Sequence, residues 1–185
     1  MNHGVVVAIL IVCFVVVAVL AFFVVRMRRS QRLRARFGPE YDRVVSEAGG
    51  VREAEGVLEF REKRRERFSI RPLSPTDRTT YRAKWDEVQS RFVDDPKQAV
   101  GIADQLVNEV MRARGYPMSD FEQRAADISV DHPVVVENYR AAHNIALRHD
   151  RGQADTEDLR RAMVHYRALF EDLLDDRHIT TRKGA

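Results

Sequence analysis

Histidines are the residues of this chain best suited to binding a metal ion or moving a proton, and the sequence has six of them. No two stand four residues apart, which is the spacing of a helical zinc site, and the single cysteine, Cys13, lies inside an apolar N-terminal run. His143 is the strongest candidate because it follows Tyr139 by one helical turn and could meet His165 across two helices. The simpler interpretation is a histidine at the edge of a core, bonded to a backbone or carboxylate group.

Tyr139, His143 and Tyr166 are therefore our candidates for lining a ligand groove, and we expect no resident metal or cofactor. Nucleophilic catalysis is not indicated, because Ser74 and Ser119 stand where helix caps are expected and no Gly-x-Ser-x-Gly turn occurs. Phosphate-binding and dinucleotide-binding glycine patterns are also missing from the sequence. We expect a protein that is not an enzyme.

Two charged segments are candidate binding sites. Acidic residues near the C-terminus lack the alternating spacing of a calcium loop, so a solvated helix end is the simpler interpretation; they are Glu171, Asp172, Asp175 and Asp176. The basic segment 61–67 suits RNA or lipid, but Glu62 and Glu66 are interleaved with its arginines. This pattern favours an exposed helix stabilised by i, i+4 salt bridges, and we expect no nucleic-acid partner.

Two irregular segments bracket a short predicted helix, namely 115–117 (Gly-Tyr-Pro) and 131–133 (Asp-His-Pro). Loops held on a rigid scaffold often carry function. The simpler account is that both segments only end and begin helices.

The element that must position the rest of the chain is an N-terminal apolar run. Residues Val5 to Val25 include no charged, amide or hydroxyl side chain, no glycine and no proline, and as a helix they span about 31 Å. A cleaved signal peptide would need a basic start, a shorter apolar run and a small-residue cleavage site. A lipoprotein signal would need a small residue before Cys13 in place of Val12. We predict one uncleaved transmembrane helix.

Six arginines follow the span at once, and no charged residue precedes it. The positive-inside rule therefore predicts an outside N-terminus and a cytoplasmic C-terminal domain at the bacterial inner membrane. We expect anionic lipid headgroups to bind this arginine cluster, which comprises Arg26, Arg28, Arg29, Arg32, Arg34 and Arg36. The chain carries 31 basic and 28 acidic residues, so the part beyond the cluster is slightly acidic and a general nucleic-acid surface is not indicated.

Helix signals organise the remaining sequence. Pro39 opens a helix that Gly49 and Gly50 interrupt, and a charged helix follows over about 51–67. Further starts are predicted at Ser74-Pro75, Asp95-Pro96, Ser119 with Glu122, Asp131-Pro133 and Asp155 or Thr156. The predicted fold is all-α: a transmembrane helix, a charged helical arm and an antiparallel bundle of four to five helices. The predicted divisions are a tail (1–4), the span (5–25), the arm (26–73), the bundle (74–176) and a disordered tail (177–185).

The stretch from Arg71 to Leu174 resembles a group of bacterial membrane-anchored helical proteins known only as hypothetical, membrane or secreted proteins. The resemblance rests on Ser74-Pro75, Tyr81, Trp85, Gly115-Tyr116-Pro117, His132-Pro133 and His165-Tyr166-Arg167. It implies neither an activity nor site residues.

Three functions follow as hypotheses. The leading one is a non-enzymatic adaptor or scaffold whose cytoplasmic bundle binds a protein partner. The alternatives are an envelope or stress-related protein with the bundle outside the cytoplasm, and a small-ligand or metal-binding domain with its site near Tyr139, His143 and Tyr166. The sequence does not specify the partner or the oligomeric state.

Overall fold

A computed structural model describes residues 3–175, and this part of the chain is helical throughout, without a strand. The all-α prediction is confirmed. The predicted tail 177–185 and the end of the predicted bundle at Asp176 lie outside the described residues. The helices are, in chain order, α1 His3–Phe37, α2 Pro39–Ala48, α3 Val51–Arg65, α4 Pro75–Arg91, α5 Pro96–Arg114, α6 Phe121–Ile128, α7 Val136–Asp150 and α8 Thr156–Leu174.

Helix α1 contains the apolar run and does not end with it. It continues through Arg26 as far as Phe37, because this stretch contains neither glycine nor proline and is rich in residues that favour helix. Gly38, at φ +49°, and Pro39 then end it. The most apolar 18-residue window has a mean hydropathy of 3.0 and no buried residue, so α1 is long and apolar enough to cross a membrane.

The predicted arm is a folded unit with its own core. The end of α1 packs with α2 and α3, so Leu33 and Phe37 of α1 are completely buried. The other members of this core are Tyr41, Val44, Ala54, Leu58 and, from the loop after α6, Val130. The arm packs more completely than its few apolar residues suggest, and it is continuous with the apolar run of α1.

A larger core lies between α4, α5, α7 and α8. Trp85 of α4 stacks on Phe170 of α8 with ring centroids 4.7 Å apart. The apolar stripes predicted on α5 and α8 face this core, with Ala99, Ala103, Leu106, Val107, Val110 and Met111 meeting Leu159, Met163, Tyr166, Phe170 and Leu173.

In the bundle, α4 and α5 pack antiparallel to each other, as do α7 and α8, whereas the two central helices α5 and α8 are parallel. In the antiparallel pair α7 and α8, Arg148 bonds Asp158 while Asn138 bonds His165. In the parallel pair α5 and α8, the Arg114 guanidinium donates to the Leu173 carbonyl at the shared C-terminal end, at 2.5 Å. The short helix α6 connects α5 to α7, which runs in the opposite direction. Because α8 reverses direction again after α7, α5 and α8 run in the same direction.

Most helix starts match their sequence signals. The side chains of Ser74, Asp95 and Asp155 each accept a backbone N–H in the first turn of α4, α5 and α8. Two predicted starts are wrong. Asp120, not Ser119, caps α6, because its carboxylate accepts from the Gln123 N–H at 3.0 Å.

Helix α7 also begins later than the signal at Asp131 and Pro133 predicts. Residues 131–135 form tight turns, in which the His132 carbonyl accepts from the Val135 and Val136 N–H groups. The first residue of α7 is therefore Val136.

Candidate functional site

A groove of about 720 Å³ opens between the first half of α5, the second half of α7 and the first half of α8. We call it the α5–α7–α8 groove. Asp104, His143, His149 and Tyr166 line its inner part, and Lys97, Leu147 and Asp150 are among its exposed residues. It lies at the end of the bundle opposite the arm, because the arm packs near α6 and the start of α7. The polar side chains of the groove lie at the edge of the larger apolar core described above.

The floor of the groove includes polar atoms without hydrogen-bond partners among the described residues. Tyr166 is completely buried, and its hydroxyl interacts with the Asp104 carboxylate without forming a hydrogen bond of good geometry. The nearby Asp104 carboxylate uses Oδ2 to accept from the Asn108 amide at 3.0 Å, but its Oδ1 is buried and unpartnered. Burial and the Asp104 charge both raise the pKa of Tyr166, which therefore stays protonated.

Both ring nitrogens of His149 are also buried without partners in the described part of the chain. A buried polar group left unpaired costs about 1–3 kcal/mol. Together with Tyr166 Oη and Asp104 Oδ1, these nitrogens form a set that contains both hydrogen-bond donors and acceptors, because a phenol and an imidazole offer both. All four atoms are buried, and their residues line the groove.

His143 lies in a mainly aromatic environment. Its ring stacks on Phe121 at a centroid distance of 3.6 Å and an angle of 12°. Burial lowers the pKa of His143, the Arg124 charge lowers it further, and Asp104 opposes both, so the imidazole is neutral at pH 7. The suggested meeting with His165 does not occur, because His165 Nδ1 bonds Asn138 Oδ1 at 2.8 Å instead.

Tyr139 lies behind the groove and is fully buried. Its hydroxyl donates to Asn108 Oδ1 at 3.4 Å and accepts from Arg124 Nε at 3.3 Å. Burial raises the pKa of Tyr139 to about 12, although Arg124 acts in the opposite direction. Its ring centroid is 6.5 Å from that of Tyr166.

The structure thus brings the three sequence candidates together, with His143 and Tyr166 lining the groove and Tyr139 supporting it. Sequence reasoning missed Asp104 and His149. The sequence contains a signal for Asp104, since it lies one turn before Asn108 and beside the apolar stripe of α5. A carboxylate at such a position is unfavourable unless it has a polar partner.

The acidic residues of α8 do not assemble into a cation site. Glu171 bonds Arg167 at 2.6 Å, and Asp172 bonds His132 at 2.5 Å. Among residues 3–175, no group of three or more histidine, cysteine or acidic side chains is arranged to hold a metal ion. Asp176 lies outside that range.

The basic segment 61–67 joins helices to one another. Arg61 donates to Glu40 at 2.7 Å and Arg64 donates to Asp127 at 2.8 Å, while Arg65 bonds Asp131. Glu62 accepts from Arg32 of α1 at 3.1 Å. The prediction of an exposed helix stabilised by its own i, i+4 pairs is wrong here, because α3 places these charges against charges on α1, α2 and α6.

Four of the six arginines that follow the apolar run make ion pairs within the protein. Arg29 pairs with Glu59 at 2.7 Å, Arg34 with Asp42 at 3.2 Å, and Arg32 and Arg36 with Glu62. Arg26 and Arg28 are exposed, and no ion pair is found for them within residues 3–175. The predicted contact with lipid headgroups therefore depends chiefly on these two.

The two irregular loops meet each other. The Tyr116 hydroxyl donates to Asp131 Oδ2 at 2.8 Å, and the Tyr116 ring lies 6.2 Å from that of His132. Gly115 has φ +92°, and a Cβ there would lie 2.6 Å from the Ser69 carbonyl oxygen. These contacts give both loops a structural role in closing the arm end of the bundle.

No protein family, curated protein or solved structure matches the chain. The resemblance to bacterial membrane-anchored helical proteins therefore stays a prediction.

Proposed function

We propose that this chain is a single-pass membrane-anchored adaptor without enzymatic activity, whose bundle binds a partner protein through the α5–α7–α8 groove. The observation that supports this proposal most directly is the set of buried polar atoms on Asp104, His149 and Tyr166 that lack hydrogen bonds of good geometry under one groove. Groups of this kind are rare in folded proteins and call for an explanation such as a missing ligand. A bound partner would complete their hydrogen bonds.

The partner group proposed for this groove is an ammonium, such as a lysine side chain. An ammonium offers three donors, and the Asp104 carboxylate, the Tyr166 phenol oxygen and one ring nitrogen of His149 can accept them. Asp95, Asp104 and Asp150 line the groove against Lys97 alone among fixed cations, and His143 is neutral at pH 7. The local negative charge therefore favours the binding of a cationic group.

Photo-crosslinking in living cells tests the adaptor proposal. A photoreactive residue at Leu147, on the exposed rim of the groove, should capture one partner protein, and Asp104→Asn combined with Tyr166→Phe should reduce that product at least several-fold. The matched control position is Gln89, exposed on α4 away from the groove. Equal capture at Leu147 and Gln89, or capture that the double substitution leaves unchanged, would contradict the proposal.

A small-ligand-binding domain is the second candidate, and the same groove supports it. Titration of the purified full chain with cadaverine, and with 1,5-pentanediol as a neutral control of the same length, separates the two. Binding of the diamine that is lost in the double variant, with no protein captured in cells, would favour the small-ligand function.

We propose further that the bundle is cytoplasmic and that the N-terminus lies outside the bacterial inner membrane. The asymmetry of arginines around the apolar run supports this topology. A cysteine at Val93, which is 82% exposed, placed in a Cys13→Ser chain should resist an impermeant thiol reagent until cells are opened. Labelling in intact cells would instead favour the alternative of an envelope protein with its bundle outside the cytoplasm.

A further inference from the structure

Ion pairs fix the register between α1 and α3. Arg29 lies between Glu55 and Glu59, at 3.8 and 2.7 Å. Further along, Arg32 and Arg36 both reach Glu62, at 3.1 and 2.9 Å. Moving along α1 away from the apolar run thus also means moving toward the C-terminus of α3. The two helices run in the same direction.

This register places the start of α3 beside the end of the apolar run. Val51 precedes Glu55 by about one turn, or about 6 Å, just as Val25 precedes Arg29. Val51 therefore lies near the level of Val25, where the predicted transmembrane segment ends.

Helix α2 independently leads to the same position. It starts after Gly38 and turns back along α1, with Tyr41 bonded to Ser30 at 3.1 Å. The ten residues of α2 return the chain by about 15 Å, which brings Ala48 back toward the apolar run. Gly49, at φ +73°, then makes the tight turn into α3.

We propose that the α2–α3 turn, residues 49–52, rests on the lipid bilayer as a second membrane contact. Val51 is 45% exposed, and Arg52 is exposed with no ion pair among the described residues. An apolar side chain next to a free guanidinium suits the boundary between acyl chains and phosphate groups. The proposed binding partner of this turn is a phospholipid surface, because the turn lies near the level at which the proposed transmembrane segment of α1 ends. The inference depends on the membrane anchoring proposed above.

Spin labels on three valines test the inference in the full chain. Cysteines replace Val16, Val51 or Val93 singly in a Cys13→Ser chain, which is placed in nanodiscs of three parts phosphatidylcholine to one part phosphatidylglycerol. Power saturation compares the access of oxygen, which concentrates in lipid, with that of a water-soluble nickel complex. The expected oxygen-to-nickel ratio is highest at Val16, several-fold lower at Val51, and several-fold lower again at Val93.

The outcomes separate the inference from the anchoring on which it depends. A high ratio at Val16 with equal ratios at Val51 and Val93 would overturn the turn contact and leave the anchor intact. A ratio at Val16 as low as that at Val93 would overturn both. Arg52→Gln should leave Val16 unchanged while it lowers the ratio at Val51, and an unchanged Val51 ratio would remove Arg52 from the contact.

Discussion

Glu40 and Arg140, one hundred residues apart in the chain, form a buried ion pair at 2.8 Å that joins the arm to the bundle. The Glu40 side chain is completely buried and also accepts from Arg61 at 2.7 Å. Burial acts to raise the pKa of Glu40, but the Arg140 and Arg61 charges outweigh it and hold the pKa below its usual value. The junction between arm and bundle is therefore electrostatic as well as apolar.

Glu40→Gln should destabilise the protein by about 3–5 kcal/mol, because it leaves the buried Arg140 and the partly buried Arg61 without their shared carboxylate. Denaturant unfolding of the full chain in detergent, followed by the fluorescence of the single buried Trp85, measures this change. The control is Glu87→Gln on the exposed face of α4, with an expected loss below about 1 kcal/mol. Equal losses for the two variants would show that the Glu40 pair does not stabilise the fold.

Acid should weaken this junction. Since the folded-state pKa of Glu40 is lowered, its stabilising effect is complete above the unfolded value of 4.5 and is lost as pH falls through the lowered folded value. Unfolding free energies of the natural chain and Glu40→Gln, measured from pH 7 down to pH 3, should therefore converge at the acid end. Parallel curves would contradict the pKa direction.

Glu137→Gln should stabilise the protein at neutral pH, by up to about 1 kcal/mol for a partly exposed charge. Burial raises the pKa of Glu137, and the neighbouring Glu40 carboxylate raises it further. A raised carboxyl pKa favours folding below the unfolded value of 4.5, and that contribution is lost as pH rises through the folded value. The gain measured at pH 7 should thus disappear near pH 4, and a gain at pH 4 that equals the one at pH 7 would exclude this cause.

Two glycines should respond to alanine in opposite directions. Gly115→Ala should destabilise the fold by about 1–3 kcal/mol, because it combines a positive φ with a Cβ that would lie 2.6 Å from the Ser69 carbonyl. Gly56 lies inside α3 with open space around it, so Gly56→Ala should stabilise by about 0.5–1 kcal/mol. Thermal unfolding of both variants checks the signs. A stabilising Gly115→Ala would mean that the loop at 115–117 can move away from Ser69.

The pKa of His143 should lie below 6.5, and Asp104→Asn should lower it further. Burial and Arg124 disfavour the imidazolium, whereas the Asp104 charge is the main group that favours it. Because the folded-state pKa is lowered, the stability contributed by neutral His143 is present above 6.5 and decreases as pH falls below that value. NMR titration of the imidazole protons measures both values. An unchanged pKa in Asp104→Asn would show that Asp104 is too far away to act on the groove histidine.

The sequence predicts elements that depend on neighbouring residues, and it predicts less well those that depend on distant ones. Pro39, Pro75 and Pro96 each start a helix where expected, because N-terminal proline and capping side chains act within one turn. Contacts such as those of Arg61 with Glu40 and Arg65 with Asp131 have no sequence period. The sequence pattern of segment 61–67 therefore predicts a solvated helix, although its arginines join the arm to α6 and the loop that follows it.

The same distinction applies to the groove. Tyr139, His143 and Tyr166 come from apolar stripes on two helices, and the structure places them close together; their role in binding a ligand stays a prediction. Asp104 and His149 enter the groove because α5 packs in parallel with α8 beside α7, and a pattern within one helix does not contain that information.

If α1 spans a membrane as proposed, its unbroken passage from the apolar run to the buried Phe37 couples the tilt of the anchor to the position of the bundle. Transmembrane helices tilt by about 20° on average, and the tilt changes with bilayer thickness. Since α1 extends about 18 Å beyond Val25, a change of 20° in tilt displaces its far end sideways by about 6 Å. The bundle is packed against that end and would move with it. The orientation of the groove relative to the membrane would therefore depend on the thickness of the bilayer.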